Sequence, residues 1–502
     1  MAQPIEPTDR ILQRIEDIYP LTPLQAGMLF HTLYAPGTQV YTSQYVFSLR
    51  GRPDVAALQR AWQGVVDRYP VLRTVFVWEG LNRPLQVVFR DTPLPWEVLD
   101  WRGLPRDARQ EQVERYLAAD RERGFKLMEP PLMRVSLLRT GDDEFELVWS
   151  YHHLLIDGWS MGLILRDVFG LYEAGLRGSR PALPLSRRYR DYVAWLLRQD
   201  LSRAEAFWRA TLGRFAAPTP LGIDRAAEGT PDGAATHDHV EQRLSAVATS
   251  ALRSFAQRHR LTVNTLWQAA WGLLLSRYSG EEDVVFGATV SGREAGLASM
   301  DGMVGLFIKT LPARLELAGE TQVGECLERL QAQQVEARRY DYSPLPQVQR
   351  WSEVPAGQPL FESIVVFENH PVWNEVGEGE SGFRVDGWDL VGPSHYALAL
   401  SVLPGERASL RLEYDRRRIE ADAVERMAGH LVTLLEGLTE GPQRQLREVP
   451  LLRGAERAAL LAAGDAAGAR PPPRLRHRLF REQAARPPGA TAVVCEGRTL
   501  TV

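Results

Sequence analysis

Cysteine is almost missing from this 502-residue chain, which has only Cys326 and Cys495, far apart. Two such distant thiols support no disulfide framework, and a reducing cytoplasm is expected. Long apolar runs are missing too. Nowhere do about 18 apolar residues stand together, so no membrane span is expected, and Met1 to Glu16 shows no apolar run after a basic cluster that would mark a secretion signal. Charge of one sign is scarce as well: 59 Lys and Arg stand against 63 Asp and Glu, a net charge of -4, with the basic residues dispersed. That balance argues against a nucleic-acid surface. No HExxH pattern or cysteine cluster occurs, and no nucleophile elbow or Cys–His pair is read, so neither a metal site nor a covalent enzyme intermediate is expected. What is present, 44% hydrophobic and 24% charged residues, describes a soluble globular protein, and the length calls for two or three domains.

Most of the chemistry lies in Ser150-Tyr151-His152-His153-Leu154-Leu155-Ile156-Asp157-Gly158-Trp159-Ser160. Phe145, Leu147, Trp149, Tyr151 and His153 share one face of a period-two pattern, while Glu146, Val148, Ser150 and His152 share the other. The two histidines therefore leave the end of a strand on opposite sides, which is wrong for gripping one ion. Leu163, Ile164, Val168 and Leu171 follow at helical spacing, so a short turn carrying Asp157 leads into a helix start. An imidazole of unperturbed pKa about 6.5 holds or releases a proton near neutrality. His153, closer to the turn and its helix N–H groups, is assigned that work, and His152 a core or supporting place. That both are ordinary buried histidines is the competing reading of this stretch.

The rest of the chain reads as two α/β halves. Thr22 caps a helix starting at Pro23; strands are expected at Tyr45–Leu49, Thr74–Trp78, Leu85–Phe89 and Leu132–Leu138; a helix opens at Pro53-Asp54 and another lies near Tyr189–Leu197. Ala216 to Ala235 loses periodicity and gathers proline and glycine, as a linker or crossover does. The second half has a helix Thr265–Tyr278 apolar on most faces, strands at Val284–Val290, Phe307–Leu311, Phe361–Phe367, Ala397–Leu403 and Ser409–Tyr414, and a closing helix Ala421–Glu436. Past Pro442, a short helix within Leu451–Leu461 and the run Pro471-Pro472-Pro473 suggest an interdomain linker, and the remainder is too short to fold alone. The chain is expected to be a piece of a longer polypeptide. The divisions are 1–215 and 236–450 for the two halves, 216–235 between them, 451–475 for the linker and 476–502 for the start of another domain.

These residues resemble the condensation domains of nonribosomal peptide synthetases, within the chloramphenicol acetyltransferase-like superfamily. His152-His153-xxx-Asp157-Gly158 looks like the family's HHxxxDG signature. Leu21–Phe30, Arg68–Phe76, Tyr189–Trp195, Val304–Pro312 and Leu360–Asn369 are similar to its other motifs and occur in the family's order, with Lys309 where asparagine is usual. The tail Leu479 to Val502 is similar to the start of an adenylation domain.

The resemblance implies two chloramphenicol acetyltransferase-like lobes in a V-shaped pseudo-dimer, with an active-site tunnel between them. It also implies thioester aminolysis: an acceptor aminoacyl amine attacks a donor thioester, each carried on the 4'-phosphopantetheine of a peptidyl carrier protein, in cytoplasmic antibiotic or siderophore biosynthesis. The domain itself is expected to bind no cofactor, and neither nucleic acid nor membrane. His153 would be catalytic, as general base or as a group that positions the amine, and the Gly158 amide would be an oxyanion donor. Asp157 would pair with Arg293, with His152 and Trp159 supporting. Ser291, Lys309, Tyr340, Ser394 and His395 would line the tunnel, although His395 reads equally as an ordinary loop histidine. An epimerization domain shares the signature but usually carries an EGHGR-like turn where this chain has Thr289-Val290-Ser291-Gly292-Arg293. Heterocyclization domains replace the histidines. A non-catalytic recruitment module and a free-standing acyltransferase are the remaining alternatives.

Overall fold

The structure, a computed structural model, describes residues 12–34, 41–179, 181, 183–224, 237–293, 297, 299–368, 382–391, 396–466, 491–495 and 498–501. It divides into a unit Met1–Val449 and a unit Pro450–Val502.

In the large unit, helix starts follow their caps. After strand β1 (Ile15–Pro20), the Thr22 hydroxyl accepts the Gln25 amide at 3.2 Å and Gln25 Oε1 accepts the Thr22 amide at 3.0 Å, a reciprocal box that opens α1 (Pro23–Tyr34). β2 (Thr42–Gly51) precedes α2 (Val55–Arg68), where Asp54 Oδ1 accepts the Ala57 amide at 2.8 Å. β3 (Thr74–Val77) and β4 (Leu85–Phe89) form a three-stranded sheet with β1. β5 (Trp96–Asp100), α3 (Arg106–Arg123), β6 (Met133–Arg139) and β7 (Glu144–His152) follow, then α4 (Gly158–Leu176), α5 (Tyr189–Leu196) and α6 (Ser202–Leu212).

The later part of the unit runs β8 (His237–Arg243), α7 (Ala246–Arg258), α8 (Val263–Ser279), β9 (Asp283–Val290), β10 (Lys309–Glu316), α9 (Val323–Arg338), α10 (Leu345–Trp351), β11 (Ser363–Phe367), β12 (Phe383–Val391), β13 (Leu398–Leu403), β14 (Ser409–Asp415) and α11 (Ala421–Leu438). Its sheet has the order β10-β9-β11-β13-β14-β8, with β11 parallel to both neighbours. Apolar all round, α8 buries Leu266, Trp267, Trp271 and Leu274 completely beside that sheet.

The expected division between halves is crossed twice. β12 leaves the later half to pair antiparallel with β2, from Phe383 opposite Gly51 to Val391 opposite Gln44, so the first-half sheet has the order β12-β2-β7-β6-β5. The edge of β2 needs partners for its N–H and C=O groups, and β12 supplies them. Gly387 and three acidic or basic side chains interrupt the alternation of β12, which is why it was not legible as a strand. In the second crossing, Met300, Met303, Val304, Leu306 and Phe307 pack into the core of the first half.

Three other expectations change. The strand expected at Phe307–Leu311 starts at Lys309 and runs to Glu316. The start of the expected linker 216–235 is docked, with Leu221 buried and Thr219 Oγ1 accepting the Val285 amide at 2.8 Å; its residues 225–235 lie outside the described residues. In the small unit, helix α12 (Gly454–Ala466) occupies much of the expected linker 451–475, and β15 (Thr491–Cys495) pairs with β16 (Arg498–Thr501). Among the described residues no helix is long and apolar enough to cross a membrane.

Candidate active site

β7 stops at His152, so His153 is the first residue of the turn rather than the last of the strand, yet its amide extends the ladder by donating to Tyr41 O at 2.7 Å. That extra bond holds the imidazole on the same side as Tyr151, with ring centroids 6.4 Å apart. A cavity of about 980 Å³ opens on that side. Tyr41, Ser43, Tyr45, Tyr151 and His153 form one wall, and Thr289, Thr310, Val366, Ser401 and Glu413, one from each of five strands of the six-stranded sheet, form another. His153 is half-buried in its wall, and among the described residues its Nδ1 meets no hydrogen-bond partner.

His152 points the other way and is buried, with Nδ1 accepting the Leu154 amide at 3.2 Å. Burial, with a smaller contribution from the charge of His153, pulls its pKa down to about 3, so it is neutral at physiological pH. It keeps the turn shape and does not reach the cavity.

Behind His153 the turn is locked from both halves of the chain. Asp157 caps α4: Oδ1 accepts the Ser160 amide at 2.8 Å, and Oδ2 accepts the amides of Phe307 at 2.8 Å and Ile308 at 3.2 Å. Arg293 Nη2 lies 3.4 Å from Asp157 Oδ1 and 2.8 Å from Ser160 Oγ, and its Nη1 donates to the carbonyls of Met300 at 2.7 Å and Met303 at 2.8 Å. Burial alone would raise the Asp157 pKa, but the Arg293 charge and the amide donors outweigh it and hold the carboxyl below its usual range. Burial also pulls Arg293 below its ordinary value against the opposing charge of Asp157. The guanidinium nonetheless stays paired, because two carbonyls, a hydroxyl and the face of Phe307 at 4.2 Å all favour its charged form. With these contacts made, neither oxygen of Asp157 is available to orient His153.

Ser160 overturns one expectation. Gly158-Trp159-Ser160-Met161-Gly162 does spell G-x-S-x-G, so an elbow-like string is present where none was read. The structure makes it a bracket instead. Ser160 is fully buried in the first turn of α4, its hydroxyl donates to Gly305 O at 2.6 Å, and it accepts from Gly305 N at 3.0 Å and from Arg293. No lone pair or proton of that hydroxyl is left for nucleophilic attack.

The other expected residues divide. Gly158, Trp159, Ser291 and Lys309 line the cavity. Gly158 sits at the first position of α4, where a helix leaves its amides without intrahelical acceptors. Trp159 Nε1 donates to Asp301 O at 3.3 Å and its ring lies 5.7 Å from the Arg293 guanidinium. Gly292, between Ser291 and Arg293, has φ +66 and would bring a Cβ to 2.0 Å from Phe307 O, so the turn admits only glycine there. Lys309 Nζ donates to Asp341 O at 3.1 Å and lies 5.6 Å from the Tyr192 ring. Tyr340 is a correction: it stacks on Phe207 at 4.7 Å and is not among the lining residues, whereas its neighbours Asp341 and Tyr342 are. Stacking two rings buries more apolar area than exposing one to the cavity, and it sets the direction of the side chain. Ser394 and His395 lie outside the described residues. The sequence reading missed Tyr45, Ser401 and Glu413; the alternation of β2, β13 and β14 places them on one face, but which face meets a cavity depends on the sheets' packing. Among the described residues no group of three or more His, Cys, Asp or Glu is placed to hold a metal ion.

Two sheets, a cavity lined from both and a histidine turn held by residues of both halves define an α/β protein with an imidazole in its cavity wall. The chain belongs to the condensation-domain family, whose family model, described as Condensation domain, matches residues 15–461. It is 40% identical over 488 residues to one of the polypeptides of linear gramicidin synthase from Brevibacillus parabrevis, covering 97% of this chain and 6% of that protein. To a second polypeptide of the same synthase and organism it is 42% identical over 491 residues, covering 97% of this chain and 9% of that protein. The chain thus spans less than a tenth of the length of either relative. The starter condensation domain of rhizomide synthetase shares the fold, with a TM-score of 0.74 at 19% identity over 89% of this chain and 99% of that one.

Proposed function

We propose that this domain forms peptide bonds in nonribosomal peptide synthesis. The amine of an acceptor aminoacyl group attacks the carbonyl carbon of a donor thioester; a C–N bond forms, the C–S bond breaks, and the departing thiolate takes the proton the amine gives up. Donor and acceptor each arrive on the phosphopantetheine arm of a carrier protein, in the cytoplasm. The observation that carries this reading is the His153 imidazole in the wall of a cavity of about 980 Å³ between two sheets. Family membership supplies the reaction class.

In this reading His153 accepts a hydrogen bond from the attacking amine, takes its proton and passes it to the departing thiolate. Asp157 is not its partner, since that carboxylate is committed to the Ser160, Phe307 and Ile308 amides and to Arg293. The Gly158 amide, on the positive end of α4, meets the oxyanion of the tetrahedral intermediate. Asp157, Ser160 and Arg293 hold the turn in shape, and no serine or cysteine forms an acyl-enzyme. Lys309 and Ser291 line the path of the substrate.

The test is to mix the protein with donor- and acceptor-loaded carrier proteins and follow the joined product by mass spectrometry. Wild type is expected to join them, and His153→Ala to lose about 10²–10⁴-fold in turnover with its melting transition unchanged. Near-normal product from a folded His153→Ala protein would overturn the assignment.

A further inference from the structure

Glu413 is a carboxylate in the wall of the cavity that the reaction above does not use. It projects from the face of β14 that also carries Arg411, while Leu412 and Tyr414 on the other face are buried in the core. Its row continues across the sheet through Ala399 and Ile364, both of which also line the cavity. The groups around Glu413 are mostly acidic: Glu368 at the end of β11 acts on it directly, Glu241 on β8 and Asp389 on β12 gather on its strand neighbour Arg411, and His239 on β8 is its cross-strand partner.

The one cation on its strand face is already committed. Arg411 donates to Glu241 Oε1 at 2.6 Å, to Leu390 O at 2.7 Å and to Asp389 Oδ1 at 3.0 Å. Among the described residues, no hydrogen-bond donor reaches the Glu413 carboxylate. Burial pushes its pKa up to about 7, with Arg411 opposing and Glu368 adding to the rise. A carboxylate in that position has lost much of its hydration without gaining a partner, and an ammonium group entering the cavity would supply one. The opposite wall carries the Tyr45 and Tyr151 rings, stacked 6.1 Å apart, and the π-face of a ring attracts a cation.

We infer that Glu413 is a specificity-determining residue that selects a substrate bearing an ammonium group, by pairing with that group inside the cavity. The inference rests on the peptide-bond-forming reading and narrows its substrate class. The ammonium has two possible sources, a basic side chain of the lysine or ornithine kind or the α-amine of the acceptor before it is deprotonated.

The test uses stable pantetheine amides of lysine, norleucine and Nα-acetyl-norleucine, titrated by calorimetry into the whole chain, its Glu413→Gln variant and a Glu413→Asp variant. Wild type is expected to bind an ammonium-bearing probe at least tenfold more tightly than Nα-acetyl-norleucine amide, with Glu413→Gln removing the difference and Glu413→Asp keeping part of it. Lysine above norleucine assigns the ammonium to the side chain. Lysine equal to norleucine, with both above the acetylated probe, assigns it to the α-amine. Equal binding of all three probes by wild type, or a preference that survives in a folded Glu413→Gln protein, would overturn the inference. Because binding is read without turnover, a failure here is distinct from a failure to join loaded carriers.

Discussion

Strand β7 has two faces, and they treat polar side chains in opposite ways. On the face of Ser150 a buried network closes around Asp120, while His152 Nε2 on that face meets no partner among the described residues. Arg134 Nε donates to Asp120 Oδ1 at 2.5 Å and its Nη1 to Gly124 O at 2.7 Å, while Ser150 Oγ and Gln44 Nε2 donate to Asp120 Oδ2 at 2.5 and 2.7 Å. On the face of Tyr151 and His153, polar groups line a cavity. Paired polarity is the way an interior tolerates charge, and unpaired polarity beside an open volume is the way a site receives a ligand. The same strand does both because its side chains alternate.

The sharpest way to break that contrast is to remove one member from the closed side. Asp120→Ala leaves Arg134 buried without its carboxylate, and Asp157→Ala does the same to Arg293; each is expected to cost about 3–5 kcal/mol in urea unfolding. The folded fraction of Asp120→Ala should keep its turnover, in contrast to folded His153→Ala. If Asp120→Ala melted like wild type, the closed network would not be structural.

Ser160→Ala sharpens the distinction between bracket and nucleophile. It leaves Arg293 and the Gly305 amide each short of an acceptor, so a loss of about 1–3 kcal/mol in stability is expected. The protein that remains folded should still join loaded carriers, and a dead but fully stable Ser160→Ala would point to Ser160 as a nucleophile instead.

A pH effect tests the buried side of the strand through His152 alone. His152 is held neutral, with its folded pKa near 3 against about 6.5 unfolded, so the unfolded chain binds the proton more readily between those values. Its contribution is complete above pH 6.5 and is lost as pH falls, by about 1.4 kcal/mol per unit through that window. His152→Asn, whose Oδ1 can accept the Leu154 amide, should flatten that part of the stability profile. An unchanged slope, followed by denaturant melts from pH 7 to 5, would show that His152 does not titrate as its burial dictates.

Much of the fold was legible where residues act locally. The Thr22 cap, the Asp54 cap, the apolar helix α8 and the strands β4 and β9 follow from spacing and turn chemistry, because their signals lie within a few residues of one another. The crossing strand β12 was not legible, since an interrupted alternation rich in charge becomes a strand only when β2 offers it an edge. Tyr340 was misplaced for a similar reason: its direction is set by Phe207, which lies on α6 in the other half of the chain.

By itself the sequence determined that two adjacent histidines leave a strand end on opposite sides, that an aspartate follows to cap a helix, and that a glycine turn carries an arginine in the later half. Those facts depend on backbone periodicity and on the few residues around each turn. Only the tertiary structure decided that Arg293, Met300, Met303, Phe307 and Asp157 meet, that Ser160 is spent on Gly305, and that Glu413 faces the cavity where His153 stands. Asp157 and Arg293, Asp157 and Phe307, and Ser160 and Gly305 are far apart in the chain, so they come into hydrogen-bonding range only after the two halves pack.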